Sequence, residues 1–139
     1  MRDYQKIETW KIADDLTVAI YKHTRSFPQE EVYGLTTQLR RASYAVPANI
    51  VEGSSHENKK DYLHFLYTAR ASLSETHYFI HLAHRLNYLT DDEAEKLFGQ
   101  TKKVFAGLHG LIQTMEKESG KLARMVGAVT GVITLGLWS

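Results

Sequence analysis

Apolar residues recur at every third or fourth position along most of this chain, the spacing that gathers them on one face of an α-helix. Over about residues 8–25 the stripe is Trp10, Ala13, Thr17, Ile20 and Thr24, with Leu16 beside it. Ser26-Phe27-Pro28 interrupts it, because proline disfavours a helical residue before itself and suits the first turn of the next helix. Glu30 and Glu31 follow, where negative charge meets a positive helix N-terminus. Leu35, Leu39, Ala42, Val46 and Ile50 then predict a second helix over about 30–53. Pro47 inside it removes one backbone donor and crowds the preceding turn, which predicts a kink rather than a break. Gly53 is expected to end the helix, and Ser54 to Glu57 reads as a capping box for the next one.

The third segment, about 57–87, carries Tyr62, Leu66, Ala69, Leu73, Ile80 and Ala83 on one face. Leu63, Tyr67, Tyr78, Phe79, Leu82 and Leu86 spread apolar surface around much of the remainder. A helix apolar most of the way round is buried on more than one side. That predicts association between copies of the chain, with Tyr67, Tyr78 and Leu82 as candidate interface residues. Thr90 and Glu93 form a second capping box with Asp91 and Asp92 in the first turn. The fourth helix follows, with Ala94, Leu97, Thr101, Val104, Leu108, Leu111 and Met115 on its apolar side. Four helices with short connections give an all-α, antiparallel up-down four-helix bundle.

This bundle domain is expected over residues 1–120, with 121–139 as an apolar C-terminal extension, either a helical continuation or an interaction tail. Its last fifteen residues, MVGAVTGVITLGLWS, carry no charge. As a helix they extend roughly 22 Å, short of the ~30 Å hydrocarbon core, so packing on the bundle or on a neighbour is preferred to a membrane anchor. Gly127-x-x-x-Gly131 within it is a small-residue contact motif.

Composition narrows the chemistry. At 139 residues and 15.9 kDa the chain suits one domain. Seventeen Lys and Arg against sixteen Asp and Glu leave a formal charge of +1, so nucleic-acid affinity has to come from local clusters. The candidates are Arg40, Lys59-Lys60, Arg70, Arg85 and Lys102-Lys103. Arg70, Ser74, His77, His81 and Arg85 recur at spacings of 4, 3, 4 and 4, a stripe that gains charge as imidazoles protonate. The absence of cysteine excludes disulfides, thiolate metal sites and cysteine nucleophiles and suits a reducing cytoplasm. His77, His81 and His84 are close enough on one helix to share an ion, but no Glu-x-x-His or His-Glu-x-x-His pair supports them. There is no Gly-x-Ser-x-Gly and no Gly-x-x-x-x-Gly-Lys phosphate loop. No catalytic residue, metal or cofactor is expected. Asn49 and Glu52 read as partners for backbone groups loosened by Pro47, and Arg41 as a structural cation for a carboxylate such as Glu52.

One run is more specific than any of these: Phe27-Pro28, Glu31, Tyr33-Gly34-Leu35, Gln38-Leu39-Arg40-Arg41-Ala42 and Val46-Pro47-Ala48-Asn49-Ile50-Val51-Glu52-Gly53. With Trp10-Lys11, Ser72-Leu73-x-Glu75 and Leu86-x-Tyr88-Leu89, it resembles the small bacterial four-helix proteins encoded in intervening sequences of 23S ribosomal RNA genes, also labelled S23 ribosomal proteins. The resemblance covers roughly residues 4–118. It implies a homopentamer around a central channel, and kinship with the accessory proteins of diversity-generating retroelements, pentamers that bind nucleic acid and a reverse transcriptase. Ala45 stands where that family usually has Ser, Ala71 where Gly is common, and the tail after about Gly120 lies outside the pattern. The expectation is a non-enzymatic, cytoplasmic oligomeric scaffold that binds RNA or a nucleic-acid-handling protein. The alternative is an adaptor without nucleic-acid affinity that recruits a partner through helix faces or the tail.

Overall fold

The computed structural model describes residues 2–138, with side chains described through Gly120 and at Arg124, Met125 and Gly127. Among the described residues four α-helices form: α1 (Glu8–Thr24), α2 (Leu35–Ser54), α3 (Lys59–Arg85) and α4 (Asp91–Trp138). Single 3₁₀ turns stand at Tyr4–Lys6 and Gln29–Glu31, and there is no strand among the described residues. Each helix packs on its sequence neighbour and α1 closes against α4. Every pairing is antiparallel. His23 meets Glu93 and Thr9 faces Gly107 between α1 and α4, while His84 meets Asp91 and Lys59 meets Glu118 between α3 and α4. Arg41 meets Glu75 at one level of the α2–α3 pair and Gly53 meets Phe65 at another. The result is the up-down bundle that short connections favour.

The core is the set of apolar stripes. Leu16, Ile20, Leu39, Val46, Ile50, Leu66, Leu73, Ile80, Leu97, Val104 and Leu108 are fully buried. Thr24, Thr76 and Thr101, also buried, return their hydroxyls to carbonyls one turn back, at Ile20, Ser72 and Leu97. Such back-bonding lets a hydroxyl occupy an apolar interior without an unmet donor.

Pro47 is accommodated without a break in α2. Its missing N–H leaves the Ser43 carbonyl without its helical donor. Thr17 Oγ1 of α1, 3.0 Å away, donates there and also lies 3.1 Å from the Ala13 carbonyl of its own helix. Asn49 Nδ2 donates to the Ala45 carbonyl at 2.7 Å. Asn49, read as a partner for backbone groups loosened by Pro47, thus bonds a carbonyl of its own helix, while the orphaned Ser43 carbonyl is met by a residue of another helix.

Three local expectations are corrected. The second helix starts at Leu35, not near residue 30, because Gly34 leaves helical space (φ −113°, ψ −116°). Glu31 Oε2 then accepts from the Leu35 N–H at 3.0 Å and caps the true start. Gly53 does not end α2 but lies inside it, where a Cβ would stand 2.9 Å from Phe65 Cβ and 3.2 Å from the Tyr62 carbonyl oxygen. Its hydrogen side chain sets how closely α2 and α3 approach. The Ser54–Glu57 capping box does not form: Ser54 is buried, its hydroxyl donates back to the Val51 carbonyl, and Asn58 caps α3 by accepting from the Lys60 N–H.

At the other end of α3, Asn87 adopts φ 62°. Tyr88 N–H donates to the Ala83 carbonyl and Asn87 N–H to that of His84, the paired bonds of a Schellman stop. The capping box of α4 is made as expected: Glu93 N–H to Thr90 Oγ1 at 3.2 Å, and Thr90 N–H to Glu93 Oε1 at 2.9 Å. The backbone of α4 runs helically through to Trp138, whereas the side chains of residues 128–139, most of the apolar tail, lie outside the described residues.

Candidate nucleic-acid interface

The outward side of α3 holds most of the candidate cations. Arg70, Ser74, His77, His81 and Arg85 are all exposed. His77 leans against Phe98 of α4, ring centroids 5.0 Å apart, which sets this stripe along the α4 side of the helix. Lys102 lies one turn beyond Phe98 on α4 and is also exposed. Arg70 stacks on Tyr67 at 5.2 Å, and the Tyr67 hydroxyl donates to Glu116 Oε1 at 2.5 Å. That hydrogen bond, more than burial, pushes the Tyr67 phenol above its ordinary value. The one carboxylate within the stripe's span, Glu75, is turned away: its Oε2 lies 2.9 Å from Arg41 of α2. Arg41, read from the sequence as a structural cation for a carboxylate such as Glu52, meets Glu75 of α3 instead, and Glu52 is exposed. An i,i+11 pair within one helix shares a face but stands about 16 Å apart along the axis; the α2–α3 crossing supplies a nearer carboxylate.

The remaining candidates are dispersed. Lys59 pairs with Glu118 at 2.8 Å, while Lys60 beside it is exposed. Lys103 shares a small groove between α1 and α4 with Ile12, Asp15 and Gln100. Arg40 is tied to α1: Nε donates to Thr24 Oγ1 at 2.8 Å, and the guanidinium sits 4.7 Å from the Tyr21 ring centroid. Thus Arg70 and Arg85 lie on one continuous face with Lys102 on the adjoining helix, and Lys59, Lys103 and Arg40 lie elsewhere.

The histidines have separate partners. His84 Nε2 bonds to Asp91 Oδ1 at 2.7 Å, His77 packs on Phe98, and His81 lies near Tyr78. No group of three His, Cys, Asp or Glu side chains among the described residues is arranged to hold a metal ion. Among the expected interface residues, Tyr78 is 55% exposed and Tyr67 39%, whereas Leu82 is half-buried. Leu63, expected on the outer surface, is buried inside the bundle, so the fold hides part of the surplus apolar surface itself. No helix among the described residues is long and apolar enough to cross a membrane.

The family described as 23S rRNA-intervening sequence protein matches residues 5–110, which takes in all of α1, α2 and α3 and the first part of α4. The chain belongs to that family. A crystal structure from the S23 ribosomal protein family of Bacteroides thetaiotaomicron, a protein of unknown function, superposes with a TM-score of 0.70 at 20% identity, covering 76% of this chain and 95% of that one. At that identity the likeness is one of fold. No curated protein matches the chain. In this member of the family, the run from Val46 to Gly53 has a physical account: a proline that orphans the Ser43 carbonyl, which is met from α1, an asparagine closing the next turn, and a glycine at the α2–α3 crossing.

Proposed function

We propose that this family member is a non-enzymatic cytoplasmic scaffold that assembles with itself as a homopentamer and binds RNA along the outer edge of α3. The observation that carries the RNA reading is the exposed stripe of Arg70, His77, His81 and Arg85, from which Glu75 is withdrawn by Arg41. Cations left without carboxylate partners release counterions from phosphates when they bind, whatever the net charge of the chain. Repetition of the stripe around a ring multiplies its field. Self-assembly is supported by the apolar half of the same outward surface, where Tyr78 remains largely in water in a single copy.

The test is RNA binding by fluorescence anisotropy across a salt series, together with native mass spectrometry for the subunit number. Affinity falls log-linearly with salt, and Arg70→Gln with Arg85→Gln weakens it and lowers the salt slope by about 1 for each phosphate no longer neutralised. Binding of equal strength at low and high salt sinks the RNA reading. A monodisperse single subunit at micromolar concentration sinks the assembly. A second reading, a protein adaptor, is favoured by the exposed apolar pair Val32 and Tyr33, the latter 96% exposed. It is the reading left if a partner is captured without salt dependence and Tyr33→Ser abolishes the capture.

A further inference from the structure

A cavity of about 430 Å³ opens where α1 gives way to α2, walled by the last turn of α1, the connection and the first turns of α2. Its charged members are Arg25 and Arg40, and no carboxylate lines it. Neither guanidinium is in an ion pair among the described residues. Arg40 is held in place by Thr24 Oγ1, by the Tyr21 carbonyl at 3.4 Å and by the Tyr21 ring, and still has N–H donors unused. Thr36 stands in the same wall, 7% exposed, and its buried Oγ1 has no hydrogen-bond partner among the described residues. The other two hydroxyls of the wall are committed, Thr24 to the Ile20 carbonyl and Thr37 to that of Val32. The carbonyls at the end of α1 that would repel an anion are partly covered, by Arg40 at Tyr21 and by Thr24 at Ile20. Glu31 already takes the Leu35 N–H, so the site draws on side chains and not on the start of α2.

We propose that this cavity binds a phosphoryl group bearing an organic substituent. Guanidinium forks match phosphate oxygens, and donors arriving from the α1–α2 connection (Arg25) and from α2 (Thr36, Arg40) suit an anion that accepts in several directions. The volume falls within the range of small-molecule sites, and Phe27 and Val32 offer an apolar wall to a substituent. A mononucleotide and the phosphorylated end of an RNA share this chemistry. The site does not depend on the α3 edge.

Isothermal titration of the full chain with adenosine 5′-monophosphate, adenosine, inorganic phosphate and one short RNA with or without a 5′-phosphate tests it. The monophosphate binds saturably, inorganic phosphate competes with it, and adenosine does not bind. Arg25→Gln and Thr36→Val each weaken the monophosphate at least tenfold, whereas Lys6→Gln, at the far end of the bundle, leaves it unchanged. Arg40→Lys keeps the charge, loses the fork and weakens it as well. Tighter binding of the 5′-phosphorylated RNA than of the monophosphate assigns the source to an RNA end, and the reverse order to a free nucleotide. The proposal is overturned by the absence of saturable binding of any phosphorylated probe at millimolar concentration. It is equally overturned by affinities that Arg25→Gln and Thr36→Val do not move in protein shown to be folded by circular dichroism. RNA binding that is lost in Arg70→Gln with Arg85→Gln but kept in Arg25→Gln belongs to the α3 edge alone.

Discussion

At its C-terminal end α3 is closed by bonds between residues near one another in sequence, whereas its N-terminal end is fixed by how closely α2 can approach. The closing turn has Asn87 in left-handed space, the Tyr88 and Asn87 amides folded back on α3, and the Thr90–Glu93 box starting α4. His84, in the last turn of α3, reaches Asp91 in the first turn of α4, and His23 at the end of α1 adds one long-range bond to Glu93 on top of these local ones, joining three helix ends of complementary dipole. At the opening turn Asn58 alone supplies a side-chain cap for α3. Its geometry comes from Gly53 against Phe65, and from Arg2 donating to the His56 carbonyl across more than fifty residues of chain. A turn held locally tolerates the removal of one bond; a turn held by close packing does not tolerate an added methyl group.

That contrast can be broken first at Gly53. Gly53→Val places carbon against Phe65 Cβ and the Tyr62 carbonyl and is expected to cost about 3 kcal/mol, read from the urea midpoint. A loss below about 1 kcal/mol would show that α2 and α3 can separate. At the closing turn, Thr90→Ala removes one bond of the box and is expected to cost about 1 kcal/mol, with helix content unchanged by circular dichroism. Acid sharpens the same point. The Thr90 backbone N–H first, and His23 second, hold the Glu93 carboxyl below its ordinary value of 4.5. Its contribution is therefore present above the unfolded value and lost as pH falls through the lower folded value. Wild-type melting temperature should decline more steeply below about pH 4.5 than that of Glu93→Gln; parallel curves would remove the effect. The smallest change is Asn87→Gly, which relieves the positive φ and is expected to raise stability by about 0.5 kcal/mol by thermal melting.

Much of the bundle was legible before folding. The stripes Leu35-Leu39-Ala42-Val46-Ile50 and Tyr62-Leu66-Ala69-Leu73-Ile80-Ala83 are buried throughout, since a 3.6-residue period leaves little choice of face. The Thr90–Glu93 box was legible for a similar reason: both partners and the backbone they bond lie within one turn. The Ser54–Glu57 pattern carries the same letters and failed, because a buried Ser54 stays in α2 and leaves the cap to Asn58. Pro47 did signal an orphaned carbonyl at Ser43, but its donor, Thr17, stands on another helix and bears no local mark. Of the candidate cations, Arg70 and Arg85 could be placed together because helical spacing puts them on one face. That Lys59 would be taken by Glu118, and Arg40 by Thr24, was beyond reach. Arg25 and Thr36 carry no mark in the sequence; their signal is the cavity they share.

The order of letters alone determined four amphipathic helices, their burial faces and the cap that begins α4, because each depends on residues within a few positions. The folded chain decided which cations stay free, where Gly53 sits and that Thr36 lacks a partner, because each depends on distances between helices that carry no period along the sequence.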